Sequence, residues 1–180
     1  MQINEALRDL FNGSPKPLIL AIDGPAGSGK STLAGEIARA FAGTYEIEVI
    51  HLDDLYHGWA EALSEELFQR IAQLITAQRD GKAIELAIYD WSAAALSGSR
   101  EVKAVQLLII EGVGSSNQLL QENLTTSIWL DIDQSTGLAR VLERDGDEIR
   151  DEMLKWQKME SEYFARDLTR ERADFILSTQ

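Results

Sequence analysis

One eight-residue segment constrains the fold of this chain more than any other, and it reads Gly24-Pro25-Ala26-Gly27-Ser28-Gly29-Lys30-Ser31. An apolar run at 18–22 precedes it, and apolar residues at helical spacing follow it from 32 to 41. This order of strand, glycine-rich loop and helix is typical of a phosphate-binding site. Glycine lets successive backbone N–H groups approach an anion, and the helix N-terminus adds partial positive charge. The segment therefore predicts a phosphate-binding loop, called here the P-loop (residues 24–31).

Two side chains of the P-loop have specific expected tasks. In loops of this kind the lysine reaches the β- and γ-phosphates and the serine hydroxyl holds Mg²⁺, so Lys30 and Ser31 indicate a nucleoside triphosphate and Mg²⁺. The alternative is a glycine-rich turn without a ligand, which the flanking strand and helix disfavour. The residues expected to contact the nucleotide are Gly24, Ala26, Gly27, Ser28, Gly29, Lys30, Ser31 and Thr32.

Strand-like and helix-like segments alternate along almost the whole chain. This order predicts an α/β protein with the three-layer P-loop NTPase fold, in which a parallel sheet has helices on both faces. The length of 180 residues suits one domain, residues 1–180. Strands are expected at 17–22, 46–52, 84–89, 105–111, 127–132 and 175–177. Helices are expected at 4–12, 31–41, 64–79, 117–122, 135–145 and 148–164, and 92–100 reads as a loop.

Composition narrows the classes of function. The formal net charge of −13 argues against nucleic acid and anionic membranes as partners, which need basic surfaces. The chain has no cysteine, which excludes disulfides and thiolate chemistry. It shows no leader pattern and no apolar run long enough to cross a membrane, so we expect a cytoplasmic protein. The sequence leaves a homo-oligomer open.

Two acidic positions follow predicted strands, where ligands of parallel sheets bind. Asp53 comes after the second strand and is the candidate to accept a hydroxyl proton during phosphoryl transfer, with Asp54 as the substitute. Glu111 ends the most apolar strand, which we expect to be central, and is a candidate for the Mg²⁺ site together with Ser31 and Asp53. The alternatives are a turn-capping aspartate and a surface glutamate.

Aromatic residues surround a third acid. Tyr89-Asp90-Trp91 follows another predicted strand, and rings beside a carboxylate suit a sugar or base. Tyr56, His57 and Trp59 are further candidates for the same pocket. Core aromatics beside a turn aspartate are the alternative for the first group, and a surface histidine is the alternative for His57.

Arg140 and Arg144 lie four residues apart at the end of a predicted helix. On one helix face they can close over a transferring phosphate and offset its charge. The alternative is a pair of surface arginines that bridge neighbouring acids.

Taken in order, these motifs resemble the uridine kinase and phosphoribulokinase group of P-loop kinases. The resemblance is carried by Ile22 to Thr32, Leu52 to Tyr56, Tyr89 to Trp91, Ile110 to Gly112, Arg140 to Asp145 and Ala173 to Leu177. It implies transfer of the ATP γ-phosphate to a hydroxyl of a small molecule, often a nucleoside such as uridine or cytidine. It also implies a lid at about 140–152.

The resemblance assigns roles to single residues. It implies catalytic roles for Lys30, Asp53, Arg140 and Arg144, substrate contacts for Tyr56, Tyr89, Asp90 and Trp91, and an acid near Mg²⁺ at Glu111. The chain departs from the group after Trp91, where Ser92-Ala93-Ala94-Ala95 replaces the usual histidine and arginine. Two alternatives stay open: a cytidylate-like nucleoside monophosphate kinase, and a regulatory ATP-binding module without a small-molecule acceptor.

Overall fold

A computed structural model describes residues 2–179 of the chain. Its main sheet is parallel, with the strand order β2-β5-β1-β6-β7. The strands are β1 (Leu18–Asp23), β2 (Ile47–His51), β3 (Ile84–Asp90), β4 (Ala95–Val102), β5 (Leu107–Glu111), β6 (Thr126–Asp131) and β7 (Phe175–Ser178). The α-helices are α1 (Gln2–Gly13), α2 (Lys30–Phe41), α3 (Glu65–Arg79), α4 (Gln134–Asp145), α5 (Arg150–Asp167) and α6 (Thr169–Arg172).

The central strands alternate their side chains between two apolar layers, because successive strand residues face opposite sides. Leu18, Leu20 and Ile22 pack with α1 and α2, whereas Ile19 faces the layer formed by α3, the β3–β4 hairpin and the α4–α5 pair. Every residue of β1 and β5 is buried. The predicted three-layer fold is therefore confirmed.

Two expectations about the sheets were wrong. Residues 95–100 are not part of a loop, because they belong to β4, and β3 is not a strand of the parallel sheet, because it pairs antiparallel with β4 in a separate two-stranded sheet. The first five residues of β4 are all exposed and show no apolar alternation, so this part of the strand leaves no sequence pattern. The middle strand is β1, and β5 lies between β1 and β2. The segment at 118–123 forms a short 3₁₀ helix, and the other predicted elements lie within three residues of their observed ends.

A buried carboxylate fixes the P-loop at the end of β1. Asp23 has no exposed surface and accepts hydrogen bonds from the backbone N–H groups of Gly24, Gly114 and Ser116, and from the Ser116 hydroxyl. Burial raises the pKa of Asp23, while the donated hydrogen bonds and the Lys30 charge oppose that shift. The start of the P-loop is thus tied to the segment that follows β5.

The outer arch of the P-loop, Ala26 and Gly27, packs against the backbone of α4. A Cβ atom on Gly137 would lie 2.6 Å from the carbonyl oxygen of Ala26, and one on Gly27 would collide with the carbonyl of Gly137. Gly27 also has a φ of 78°, which favours glycine. Helix and loop can approach this closely only because both positions lack side chains.

Among the helices that the structure describes, none is long and apolar enough to cross a membrane.

We expect Gly137→Ala to destabilise the protein by about 1–3 kcal/mol, because the added methyl group meets backbone atoms that cannot turn aside. Gly35→Ala is the matched control, since its methyl would meet only the mobile end of Arg39 at 3.6 Å inside helix α2. The control should be neutral or stabilising. Urea unfolding of both variants measures the difference, and equal stability would contradict the close contact.

Candidate functional site

A cavity of ≈ 580 Å³ opens at the carboxyl edge of the main sheet. Its volume is typical of a site for a small ligand. Lys30 and Ser31 form its floor at the N-terminus of α2, Asp53 lies just after β2, and Glu111 ends β5. Parallel strands end at the same edge, so residues far apart in sequence meet here. Ala26, Gly27, Gly29 and Thr32 also line it, whereas Gly24 does not and Ser28 lines a second cavity.

The Lys30 ammonium is held inside the P-loop. Its Nζ donates to the carbonyl oxygens of Gly24 and Pro25, both at 2.9 Å, and the residue is only 9% exposed. The lysine therefore points along the loop toward the place where an anion would bind. The positive charge of Lys30 also acts to lower the pKa of the Asp23 and Asp53 carboxyl groups.

Glu111 joins the P-loop helix to β2. Its Oε1 accepts the Ser31 hydroxyl at 2.8 Å and contacts His51 Nδ1. Sequence reasoning missed His51, which lies beside Glu111 in the β2–β5 register. The Glu111 carboxylate is nearly buried, and it fixes the Ser31 hydroxyl within the cavity.

Asp53 faces the open cavity and remains accessible to solvent. Protein atoms on several sides reduce its hydration, and this raises the pKa of the carboxyl, while the Lys30 charge opposes the shift. A raised pKa favours the uptake of a proton. Asp54, the substitute candidate, does not line the cavity.

Arg140 and Arg144 both line the cavity. Arg140 donates to the carbonyl of Gly27 at 3.4 Å and to that of Thr179 at 2.7 Å. Arg144 forms two hydrogen bonds with Asp145, which raise the pKa of the guanidinium, and it also interacts with Asp53 across the cavity. The helix therefore presents two positive charges to the same space as the P-loop lysine.

Four aromatic side chains form one side of the cavity, the aromatic wall (Tyr56, Trp59, Trp91 and Trp156). Ring centroids are 5.2 Å apart for Trp59 and Trp91, 5.9 Å for Trp59 and Trp156, and 5.6 Å for Tyr56 and Trp156. The Tyr56 hydroxyl donates to the carbonyl of Val113. The wall thus offers ring surface beside Asp53.

Three other aromatic-site candidates lie outside the cavity lining. Asp90 accepts from the N–H groups of Ser92 and Ala93 and from the Ser92 hydroxyl, which closes the hairpin turn and lowers its pKa. Tyr89 stacks on His57, with centroids 6.3 Å apart. Strand β3 belongs to the separate hairpin and pairs with no strand of the main sheet. Of residues 89–91, Trp91 lines the cavity, and its Nε1 donates to the backbone carbonyl of Asp53.

Helix α5 supplies site residues that sequence reasoning missed. Met153, Trp156 and Glu160 are buried on one helix face, and the first two line the cavity. The Glu160 carboxylate accepts the backbone N–H of Ala26 in the P-loop, with Oε2 at 3.0 Å. No pattern in the sequence marked Glu160, because its partner is a backbone N–H in a distant segment.

Glu160 is 1% exposed, and burial raises its pKa to about 7. The charge of Lys30, the N–H of Ala26 and the indole of Trp156 all favour the charged form and limit the shift. The carboxyl therefore titrates near neutral pH while it holds the P-loop.

A second cavity, of ≈ 660 Å³, lies on the other side of the P-loop. It is lined by the N-terminal part of α2, by α1 at Ile3, and by the chain end at Leu177, Ser178 and Thr179. Gly29, Thr32 and Arg140 line both cavities. The two spaces therefore adjoin at the P-loop.

We expect Glu160→Gln to stabilise the protein more at pH 8 than at pH 5. The folded carboxyl keeps its proton up to about pH 7, whereas the unfolded one loses it near its ordinary value of 4.5. Wild-type stability therefore falls as pH rises between these values, and glutamine removes the loss, by up to about 3 kcal/mol.

Urea unfolding at the two pH values measures this difference. Glu162→Gln, at an exposed carboxyl of the same helix, is the control and should show no such dependence. An equal effect of Glu160→Gln at both pH values would contradict the raised pKa.

The chain is similar in sequence to curated uridine kinases. The chain is 24% identical to the uridine kinase of Limosilactobacillus reuteri over 144 aligned residues. The alignment covers 72% of this chain and 66% of the relative, so the chain spans just under two thirds of the relative's length. The chain is 27% identical over 155 residues to the uridine kinase of Lactobacillus johnsonii, in an alignment that covers 75% of this chain and 71% of the relative. No protein-family model matches the chain.

Two solved structures share the fold over nearly the whole chain. A Bacillus stearothermophilus protein described as a possible uridine kinase has a TM-score of 0.71 and 21% identity, over 98% of this chain and 100% of that one. A Silicibacter sp. TM1040 protein described as a candidate fructose transport system kinase has a TM-score of 0.77 and 20% identity, over 97% of both chains. These likenesses confirm the resemblance to uridine kinase and related P-loop kinases that the motifs predicted.

Proposed function

We propose that this chain is an ATP-dependent kinase that transfers the γ-phosphate to a hydroxyl group of a small acceptor, a nucleoside such as uridine or cytidine. One observation carries the proposal: a phosphate loop, an exposed carboxylate, two arginines and an aromatic wall all face the same cavity. The uridine kinase names of the curated relatives support the same reaction class.

The proposed chemistry assigns each group one task. Lys30 and the P-loop hold the β- and γ-phosphates, and Asp53 accepts the proton of the acceptor hydroxyl. The acceptor oxygen forms a bond to the γ-phosphorus, the bond between that phosphorus and the β–γ bridging oxygen breaks, and ADP leaves. Arg140 and Arg144 offset negative charge on the transferring group. Positioning and charge stabilisation of this kind supply most of the catalysis in phosphoryl transfer.

The residues present fit Mg²⁺. Ser31, Glu111 and Asp53 offer oxygen atoms beside Lys30, and Mg²⁺ at phosphate sites uses few protein ligands and keeps several waters. When bound, the ion would offset phosphate charge.

The aromatic wall favours an acceptor with a flat ring. Trp59 and Trp91 are about two-fifths exposed, so their faces remain available for stacking. The second cavity, across the P-loop, is where we place the nucleotide base. These positions put the acceptor hydroxyl between Asp53 and the γ-phosphate.

A nucleoside monophosphate kinase is the nearest alternative. It would need positive charge for the acceptor phosphate, but Arg144 is paired with Asp145 and the wall beside Asp53 is aromatic. A regulatory ATP-binding module is the alternative from another class.

A phosphorylation panel of nucleosides, nucleoside monophosphates, sugars and small alcohols separates the three. Phosphorylation of uridine or cytidine supports the proposal, and failure to phosphorylate any compound refutes it.

We expect Asp53→Asn to lower kcat by about 100-fold or more, because asparagine cannot accept the hydroxyl proton. ATP binding should stay close to the wild-type value. Asp54→Asn is the matched control, since its side chain lies outside the cavity lining. Lys30→Ala should lose both ATP binding and turnover. Steady-state kinetics and calorimetry test these changes, and a wild-type rate in Asp53→Asn would remove that residue from the mechanism.

We expect Trp59→Ala to raise the KM for uridine about tenfold by removing a stacking face, while the KM for ATP changes little. Varying one substrate at saturating levels of the other separates the two constants. An equal rise in both would show that Trp59 supports the fold of the site rather than the acceptor.

A further inference from the structure

Helices α4 and α5 touch the P-loop at two points, and the chemistry proposed above uses neither. The backbone of Gly137 in α4 lies against the carbonyl of Ala26, and Glu160 in α5 accepts the N–H of the same residue. The two helices are joined where Gln157 Nε2 donates to the carbonyl of Gln134 at 2.8 Å. The arch of the loop is therefore held from outside by a connected helix pair.

The same helix pair forms part of the acceptor side. Trp156 and Glu160 are four residues apart, so they lie on one face of α5. Trp156 packs against Tyr56 and Trp59 in the aromatic wall, and its indole favours the charged form of the Glu160 carboxyl. Trp156 in the wall and Glu160 at the P-loop are thus joined through one face of the same helix.

Packing alone does not explain a carboxyl group at this position. Burial of the group costs folding free energy, and a side chain without an acceptor at this position would leave the N–H of Ala26 without its hydrogen bond. The other ionisable groups that act on it are Lys30 from α2, Asp23 from β1 and Tyr56 from the segment after β2. The site therefore retains a destabilising group at the point where the α5 helix touches the phosphate loop.

We infer that Glu160 is a positioning residue that couples the two substrates. Its carboxyl fixes the P-loop at Ala26, and its contact with Trp156 transmits the state of the loop to the aromatic wall. The inference rests on the proposed function, because it assigns ATP to the loop and the acceptor to the wall. By linkage, an acceptor at the wall changes ATP affinity by the same factor as ATP changes acceptor affinity.

Fluorine NMR tests the coupling without a known acceptor. Protein labelled with 5-fluorotryptophan has four tryptophan signals, and a Trp156→Phe variant assigns one of them. Mg-ATP should shift the Trp156 signal in the wild type and in Glu160→Gln, whose amide oxygen still accepts from Ala26. In Glu160→Ala the shift should vanish at saturation, and ATP affinity should fall about tenfold because the loop is no longer fixed. Glu162→Gln is the control and should behave as the wild type.

The outcomes separate the two proposals. If wild-type protein does not bind Mg-ATP, the proposed function fails. If it binds and the Trp156 signal shifts equally in Glu160→Ala at saturation, the coupling role of Glu160 is wrong and the proposed function stands.

A second measurement covers the case in which Glu160→Ala does not fold. Without nucleotide, the wild-type Trp156 signal should move as the pH passes through about 7, where the neighbouring carboxyl titrates. Glu160→Gln should abolish this movement. A wild-type signal that stays constant from pH 6 to 8, or one that moves equally in Glu160→Gln, would overturn the inference.

Discussion

The packing of two glycine backbones sets the geometry of the site. Gly27 in the P-loop and Gly137 in α4 approach so closely that neither position has room for a Cβ atom. This contact places the first turn of α4 against the loop and directs Arg140 and Arg144 into the cavity one and two turns later. Helix α5 then returns along α4 and brings Trp156 and Glu160 to the same space. A larger residue at either glycine would separate the phosphate loop from its arginines.

Electrostatics at the site contrast with the rest of this acidic chain. Lys30, Arg140 and Arg144 gather beside Asp53 and Glu111, although the net charge is −13. In the structure the cations are held by carbonyl oxygens and by Asp145. A bound polyphosphate would replace part of these contacts with contacts to its own negatively charged oxygen atoms. The positive field is therefore local and lies at the P-loop.

The sequence allowed the phosphate side of the site to be predicted, because its determinants are local. A glycine-rich loop between an apolar strand and a helix has few alternative structures, and parallel strands bring Asp53 and Glu111 to one edge. Strand β4 was missed because its exposed side chains do not alternate. Glu160 was missed because its partner is a backbone N–H 134 residues away, and no side-chain pattern records such a contact. Asp90 stays a predicted substrate contact, and the sequence did not show that its strand pairs with β4 outside the main sheet.

The separation of the β3–β4 hairpin from the main sheet has an evolutionary consequence. The hairpin reaches the cavity through Trp91 and is tied to the backbone of Asp53 by a single hydrogen bond. It shares no ladder with the strands that carry the P-loop and Glu111. Substitutions in the turn that carries Trp91 can therefore reshape the aromatic wall while leaving the parallel sheet and the P-loop in register, whereas Arg100 of β4 stays paired with Glu48 of β2. Acceptor preference can diverge within such a scaffold faster than the use of its phosphate donor.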